Sequence, residues 1–250
     1  MNRRLVLIAI ILLLVILAAS AAPAQPQPGS LGALLPSTDK PQELAAALKL
    51  LIGLSVLSLA PALLIMLTSF TRITIILSFL RSALGTQQTP PNAVLIGLAL
   101  FLTFFIMYPV FDQVNTQALK PYLSGKLDYN AAASRAAVPV RDFLLRQTRD
   151  KDLGLFITLS KSPHPKQPAD IPFRALVPAF IISELRAGFQ IGFVLFIPFV
   201  VLDLIVSSVL MSLGMMMLPP VIVSLPLKIM LFVMVDGWHL ITRSIVLSFN

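Results

Sequence analysis

From Leu50 to Thr71 the chain runs 22 residues without a charged side chain, and Ala93–Phe111 adds 19 more before Asp112. An apolar run of about 20 residues is what an α-helix, rising 1.5 Å per residue, needs to cross a hydrocarbon core ~30 Å thick. Only 12% of the 250 residues are charged and 57% are hydrophobic. An ordinary soluble domain carries about 25% charge, so this chain lacks the polar surface to cover a water-soluble body of its size. A cytosolic enzyme is thereby set aside, and the expected class is an all-α, membrane-type protein built from long, broken helical hairpins.

The N-terminus has the layout of a secretory signal: Arg3 and Arg4, the apolar run Leu5–Leu17, then the small residues Ala18–Ala22. As a helix that run would measure about 20 Å, too short to span. Residues 1–22 therefore read as a cleaved signal peptide, with an uncleaved anchor as the alternative. Residues 23–43 form a tether, with five prolines at positions 23 to 41.

A first apolar hairpin is expected over residues 44–111. Its two spans flank a short loop that holds Arg72, Arg81 and the turn-forming stretch Gly85–Asn92. Two cations without an acid make this loop cytoplasmic by the positive-inside rule, which places residues 112–174 on the periplasmic side. That middle region has ten basic and six acidic residues, half of the net charge of +8. No dense Lys/Arg run interleaved with aromatics occurs, so nucleic acid is not an expected partner. Within the region Pro139 can open a helix, with Val140, Phe143, Leu144 and Gln147 at helical spacing. The charged faces of that helix fit either solvent or a docking partner.

Residues 175–250 form a second apolar hairpin. Prolines at 178, 198, 219, 220 and 226 and glycines at 188, 192, 214 and 237 are expected to break it repeatedly, with the main reversal at Gly214–Pro220. Six charges interrupt it, and an ionisable group in such a segment persists only when paired or solvated. Asp203 lies 11 residues before the turn and Lys228 lies 8 after it, so at 1.5 Å per residue their depths differ by about 5 Å and a pair across the hairpin is expected. Glu184 and Arg186, two apart, point to different sides of a helix. Neither they nor Asp236 has an obvious mate in the chain, which points to contacts between subunits or, alternatively, to an ion relay. Gly188 and Gly192 have the small-xxx-small spacing of closely packed helices, within one chain or between chains.

Four of the nine methionines, Met211, Met215, Met216 and Met217, fall just before Pro219-Pro220. Flexible thioethers at a break in the backbone suit either gap-filling in a core or a collar that yields around a passing chain. With no cysteine, disulfides, thiol nucleophiles and thiolate metal sites are excluded. The two histidines, His164 and His239, belong to no triad, zinc or phosphate-loop motif. No enzyme activity and no cofactor is expected.

The stretches Pro61–Arg72, Leu84–Asn92, Arg141–Phe156, Ser183–Phe193, Met211–Pro220 and Pro226–Trp238 closely resemble the FliP family of flagellar biosynthesis proteins, over about residues 44–245. The resemblance implies a subunit of the flagellar type III protein export gate in the bacterial inner membrane, at the flagellar basal body. Such subunits assemble in several copies with FliQ and FliR, among further export-apparatus components, into an oligomeric helical ring that export substrates cross unfolded. It further implies that Met215, Met216 and Met217 gasket the channel, and that many apolar helices face other subunits above the bilayer plane. Injectisome relatives share the core motifs but generally lack a cleaved signal.

Overall fold

A computed structural model describes residues 41–86, 88–160, 165, 167–215 and 217–249, so the signal and most of the tether lie outside the described residues. The elements in order are α1 (Pro41–Met66), α2 (Phe70–Leu84), α3 (Asn92–Val114), α4 (Tyr129–Gln147), α5 (Asp150–Leu159), α6 (Phe173–Ser212), α7 (Pro220–Met234) and α8 (Gly237–Leu247). No strand occurs among the described residues, and the chain is an all-α protein of membrane type. Residues 41–58, most of α1, fall in one unit, and residues 59–249 form a second that carries everything described below.

The charge-free stretch Leu50–Thr71 is not one helix. Thr68 turns its hydroxyl and its N–H back to the Ile65 carbonyl, at 2.8 and 3.3 Å, and α1 stops. A threonine side chain that satisfies a local carbonyl competes in this way with helix continuation. Where the sequence suggested a loop around Arg72 and Arg81 there is instead the helix α2. Ile73, Ile76, Leu77, Leu80 and Leu84 recur at the three- and four-residue spacing of one face, and all are buried. The turn is confined to the residues after Leu84, where Gly85 closes α2 at φ 75° with its N–H on the Ser82 carbonyl.

α3 runs on through a π turn, Asn115–Leu119, and a final turn, Lys120–Leu123, giving a continuous helix of 32 residues. Helix α4 starts ten residues before Pro139 rather than at it. Asp128 caps it, its carboxylate accepting the Ala131 N–H at 3.2 Å, and the alanines that follow favour helix. Pro139 is buried inside it.

Prolines 178 and 198 and glycines 188 and 192 do not break α6, which continues for 40 residues. A proline inside a helix costs about 3 kcal/mol, while each large apolar side chain buried beside it returns ~1.5–3 kcal/mol. Leu176 and Phe180 flank Pro178, and Phe199 follows Pro198, all buried. The helix pair α7 and α8 is bent by 66° at Val235–Asp236.

Two apolar clusters hold the body together. One joins α2, α3, α6, α7 and α8 through Ile76, Leu80, Ala99, Phe199, Phe232 and Ile245; the other seats α4 on α3 and α6 through Met107, Phe143, Leu144, Leu176 and Phe180. Phe249 packs on both.

Candidate functional site

The reversal between α6 and α7 is built from the C-terminal signal of α6. Gly214 takes φ 74°, its N–H bonds the Met211 carbonyl at 3.0 Å, and the Met215 N–H reaches back to the Leu210 carbonyl at 3.0 Å. These are the two bonds of a Schellman motif, which needs a residue without a Cβ at the left-handed position. Pro219 and Pro220 then open α7, the latter at a position where the missing N–H has no helical partner to lose. Between these signals lies a short apolar tip. Met217 is 99% exposed, and Met211, Leu213, Met215 and Leu218 are exposed as well. Met216 lies outside the described residues.

Asp203 and Lys228 hold the hairpin in register below this tip. Lys228 Nζ lies 2.6 Å from Asp203 Oδ2, and the buried Ser224 hydroxyl donates to Asp203 Oδ1 at 2.6 Å. The ammonium also abuts the end of α2, since a Cβ at Gly85 would lie 3.8 Å from Lys228 Nζ. A helix C-terminus carries partial negative charge, so the cation is favoured from both sides.

The second ion pair corrects the expectation that Glu184 has no mate in the chain. Arg72 donates from Nε to Glu184 Oε2 at 3.0 Å and from Nη2 to Oε1, with both side chains buried. The same guanidinium donates to Gln147 Oε1 at 2.9 Å, the Ser248 carbonyl at 2.7 Å and the Ser248 hydroxyl at 3.2 Å. Its face lies 3.8 Å from the Phe249 ring centroid, while Gln147 Nε2 donates to the Phe249 carbonyl at 3.0 Å. One arginine thus ties α2, α4 and α6 to the segment after α8. Arg186 points the other way and is exposed, as the two-residue offset requires. Asp236 is exposed at the α7–α8 bend with φ 50°.

Residues that the sequence reading passed over complete the site. Arg72 had a signal, being the only charge between Lys49 and Arg81, and Gln147 was read only as one face of a helix with Phe143 and Leu144, while Ser224 had none. Ser183, beside Glu184, donates to Asp152 Oδ2 at 2.8 Å and accepts the Arg149 N–H at 3.1 Å, pinning α5 to α6.

Gly188 and Gly192 face α2 of the same chain. A Cβ at Gly192 would meet Phe79 Cγ at 2.6 Å, and one at Gly188 would meet Ile75 Cβ at 3.1 Å. Glycine here sets the distance between α2 and α6, and with it the fit of Arg72 to Glu184.

Comparison with known proteins adds a second line of evidence. Residues 53–245 match the FliP family. The flagellar biosynthetic protein FliP of Bacillus subtilis is 54% identical over 213 residues, covering 85% of this chain and 96% of the relative. That of Caulobacter vibrioides is 53% identical over 201 residues, covering 80% and 76%. That of Aquifex aeolicus is 48% identical over 209 residues, covering 83% and 87%.

Proposed function

The chain belongs to the FliP family and is thus a membrane-associated component of the flagellar export apparatus; on that premise we propose that it is a noncatalytic subunit of the export gate whose methionine loop seals the channel. It assembles with further copies of itself and with FliQ and FliR around the path of unfolded flagellar proteins, in the inner membrane. The middle region, residues 112–174, faces the periplasm.

One observation carries this reading. Helix α6 is 40 residues long, about 60 Å, twice the ~30 Å of a hydrocarbon core. Crossed along the bilayer normal, that core covers about half of it. Yet exposed large apolar side chains run along its length, from Ile182 through Phe193 and Ile197 to Leu204 and Val209. Apolar surface of that extent outside lipid belongs against protein. The helix ends in the tip formed by Met215 and Met217, whose unbranched side chains suit a seal that parts around any sequence.

The test is replacement of Met215, Met216 and Met217 by alanine in cells that also make FliQ and FliR. The expected result is an unchanged copy number by native mass spectrometry together with a membrane that leaks small ions. A gate of full copy number and unchanged ion permeability removes the sealing role.

A further inference from the structure

Once Glu184 is matched by Arg72 and Asp203 by Lys228, Asp236 is the one acid of residues 173–249 without an ion-pair partner among the described residues. It sits at the α7–α8 bend amid exposed apolar side chains, Val233, Met234, Val235 and Trp238. A charge of opposite sign stands in a similar setting on α6. There Ile182, Arg186, Phe189, Phe193, Ile197 and Leu204 follow one another at steps of three, four or seven residues, so they form one stripe, and all are exposed. Arg186 is the only charge in that stripe, and no ion pair holds it within the chain among the described residues.

Arg186 and Asp236 do not meet within one copy. Arg72 bonds both Glu184 and the Ser248 oxygens, and Gln190 and Ser244 line one cavity of about 270 Å³, so α8 runs antiparallel beside α6. Asp236 lies 12 residues before Ser248, and Arg186 two after Glu184. At 1.5 Å per residue that leaves ~15 Å between them along the helices, too far for the two side chains to bridge. We infer that a second copy of the chain supplies the mate: Arg186 of one copy pairs with Asp236 of the next, and the α6 stripe of the first packs on the α7–α8 bend of the second. This inference rests on the assembly of several copies proposed above.

Charge complementarity selects a second copy over lipid as the cover for these faces. Acyl chains would suit the apolar side chains, but they would leave a guanidinium and a carboxylate each unpaired, and an ionisable group persists in such surroundings only when paired or solvated. Joined across copies, the two neutralise each other while the apolar side chains around them exclude water. A single polar contact in an apolar seam also fixes register, because any slip of one helix along the other separates the pair. Since the pair joins two different patches of the chain, the contact is head-to-tail and repeats from copy to copy. Arg243, the other cation left over, is on the same helix as Asp236, seven residues along, outside the α6 stripe.

The test uses the assembly made with FliQ and FliR, extracted in detergent and weighed by native mass spectrometry. Arg186→Asp should lower the yield of the full-copy assembly by on the order of tenfold or more, because two carboxylates would then face each other, and Asp236→Arg should do the same. The exchanged variant R186D/D236R should restore it. A second measurement reverses no charge: the chain has no cysteine, so a short bismaleimide should link R186C/D236C chains into a ladder of multimers and leave either single cysteine variant without one. Assemblies of several copies that ignore both reversals, that are not restored by the exchange, that are restored by R243D/D236R instead, or that give no ladder overturn the pairing alone. A wild-type assembly holding one copy of the chain overturns the proposed function together with it.

Discussion

Replacing Glu184 with glutamine leaves Arg72 as a buried cation without a counter-ion. The carboxylate is fully buried, and Arg72 is 4% exposed, so water cannot take its place. Breaking one partner of such a pair costs ~3–5 kcal/mol. The lower end applies here, because Gln147 Oε1, both Ser248 oxygens and the Phe249 ring remain around the guanidinium. For a body of about this size each kcal/mol moves the melting temperature by ~2–4 °C, so the expected loss is about 6–12 °C. Thermal unfolding in detergent, followed by the fluorescence of Trp238, the single tryptophan, measures it. Burial also shields the pair from screening, so the loss should be the same at about 0.05 M and 0.5 M salt. A drop of under about 2 °C, or one that disappears in high salt, would refute the assignment of Arg72 and Glu184 as a buried brace.

Two further substitutions probe the packing around that brace. Gly192→Ala puts a methyl group 2.6 Å from Phe79 Cγ and should destabilise the body by ~1–3 kcal/mol, and by less in a Phe79→Ala background, where Cγ and Cδ2 are gone; an equal cost in both backgrounds would mean that the contact between α2 and α6 is not the cause. Ser69→Ala removes a fully buried hydroxyl that has no hydrogen-bond partner among the described residues, so it should raise stability by about 1 kcal/mol in the same melting assay.

The physics that was legible in the sequence was local or nearly so. Proline and glycine chemistry marks the reversal at Gly214–Pro220, and from there counting residues sets Asp203 opposite Lys228. The partner of Glu184 lies 112 positions away, and no periodicity within a helix reaches that far. Reading spans by their freedom from charge also hid α2. A segment that ends at its first arginine discards Ile73, Ile76, Leu77 and Leu80, the residues that make the next helix amphipathic. Pro139 misled for a related reason: proline favours a helix start, but Asp128 and the alanines after it had already begun one. The long α6 shows the limit of single-residue breakers, since it runs on through two prolines whose neighbours Leu176, Phe180 and Phe199 are buried.

The pairing of charges bears on where anything could pass. Within the apolar body Arg72 is matched by Glu184, and Lys228 by Asp203, each pair supplied with further hydrogen bonds from Gln147, Ser248 or Ser224. A relay for ions needs a carboxylate that can give up its partner at small cost, and separating Glu184 from Arg72 is the most expensive change considered above. These four residues therefore act as braces that fix the relative positions of α2, α6 and α7. Arg186 and Asp236 remain on the outside, along with most of the apolar surface of α6. A passage for an unfolded chain, under the proposed function, then has no room through the middle of one subunit. On that proposal it runs along the outer faces, between copies, with the methionine tips where the braced hairpins end.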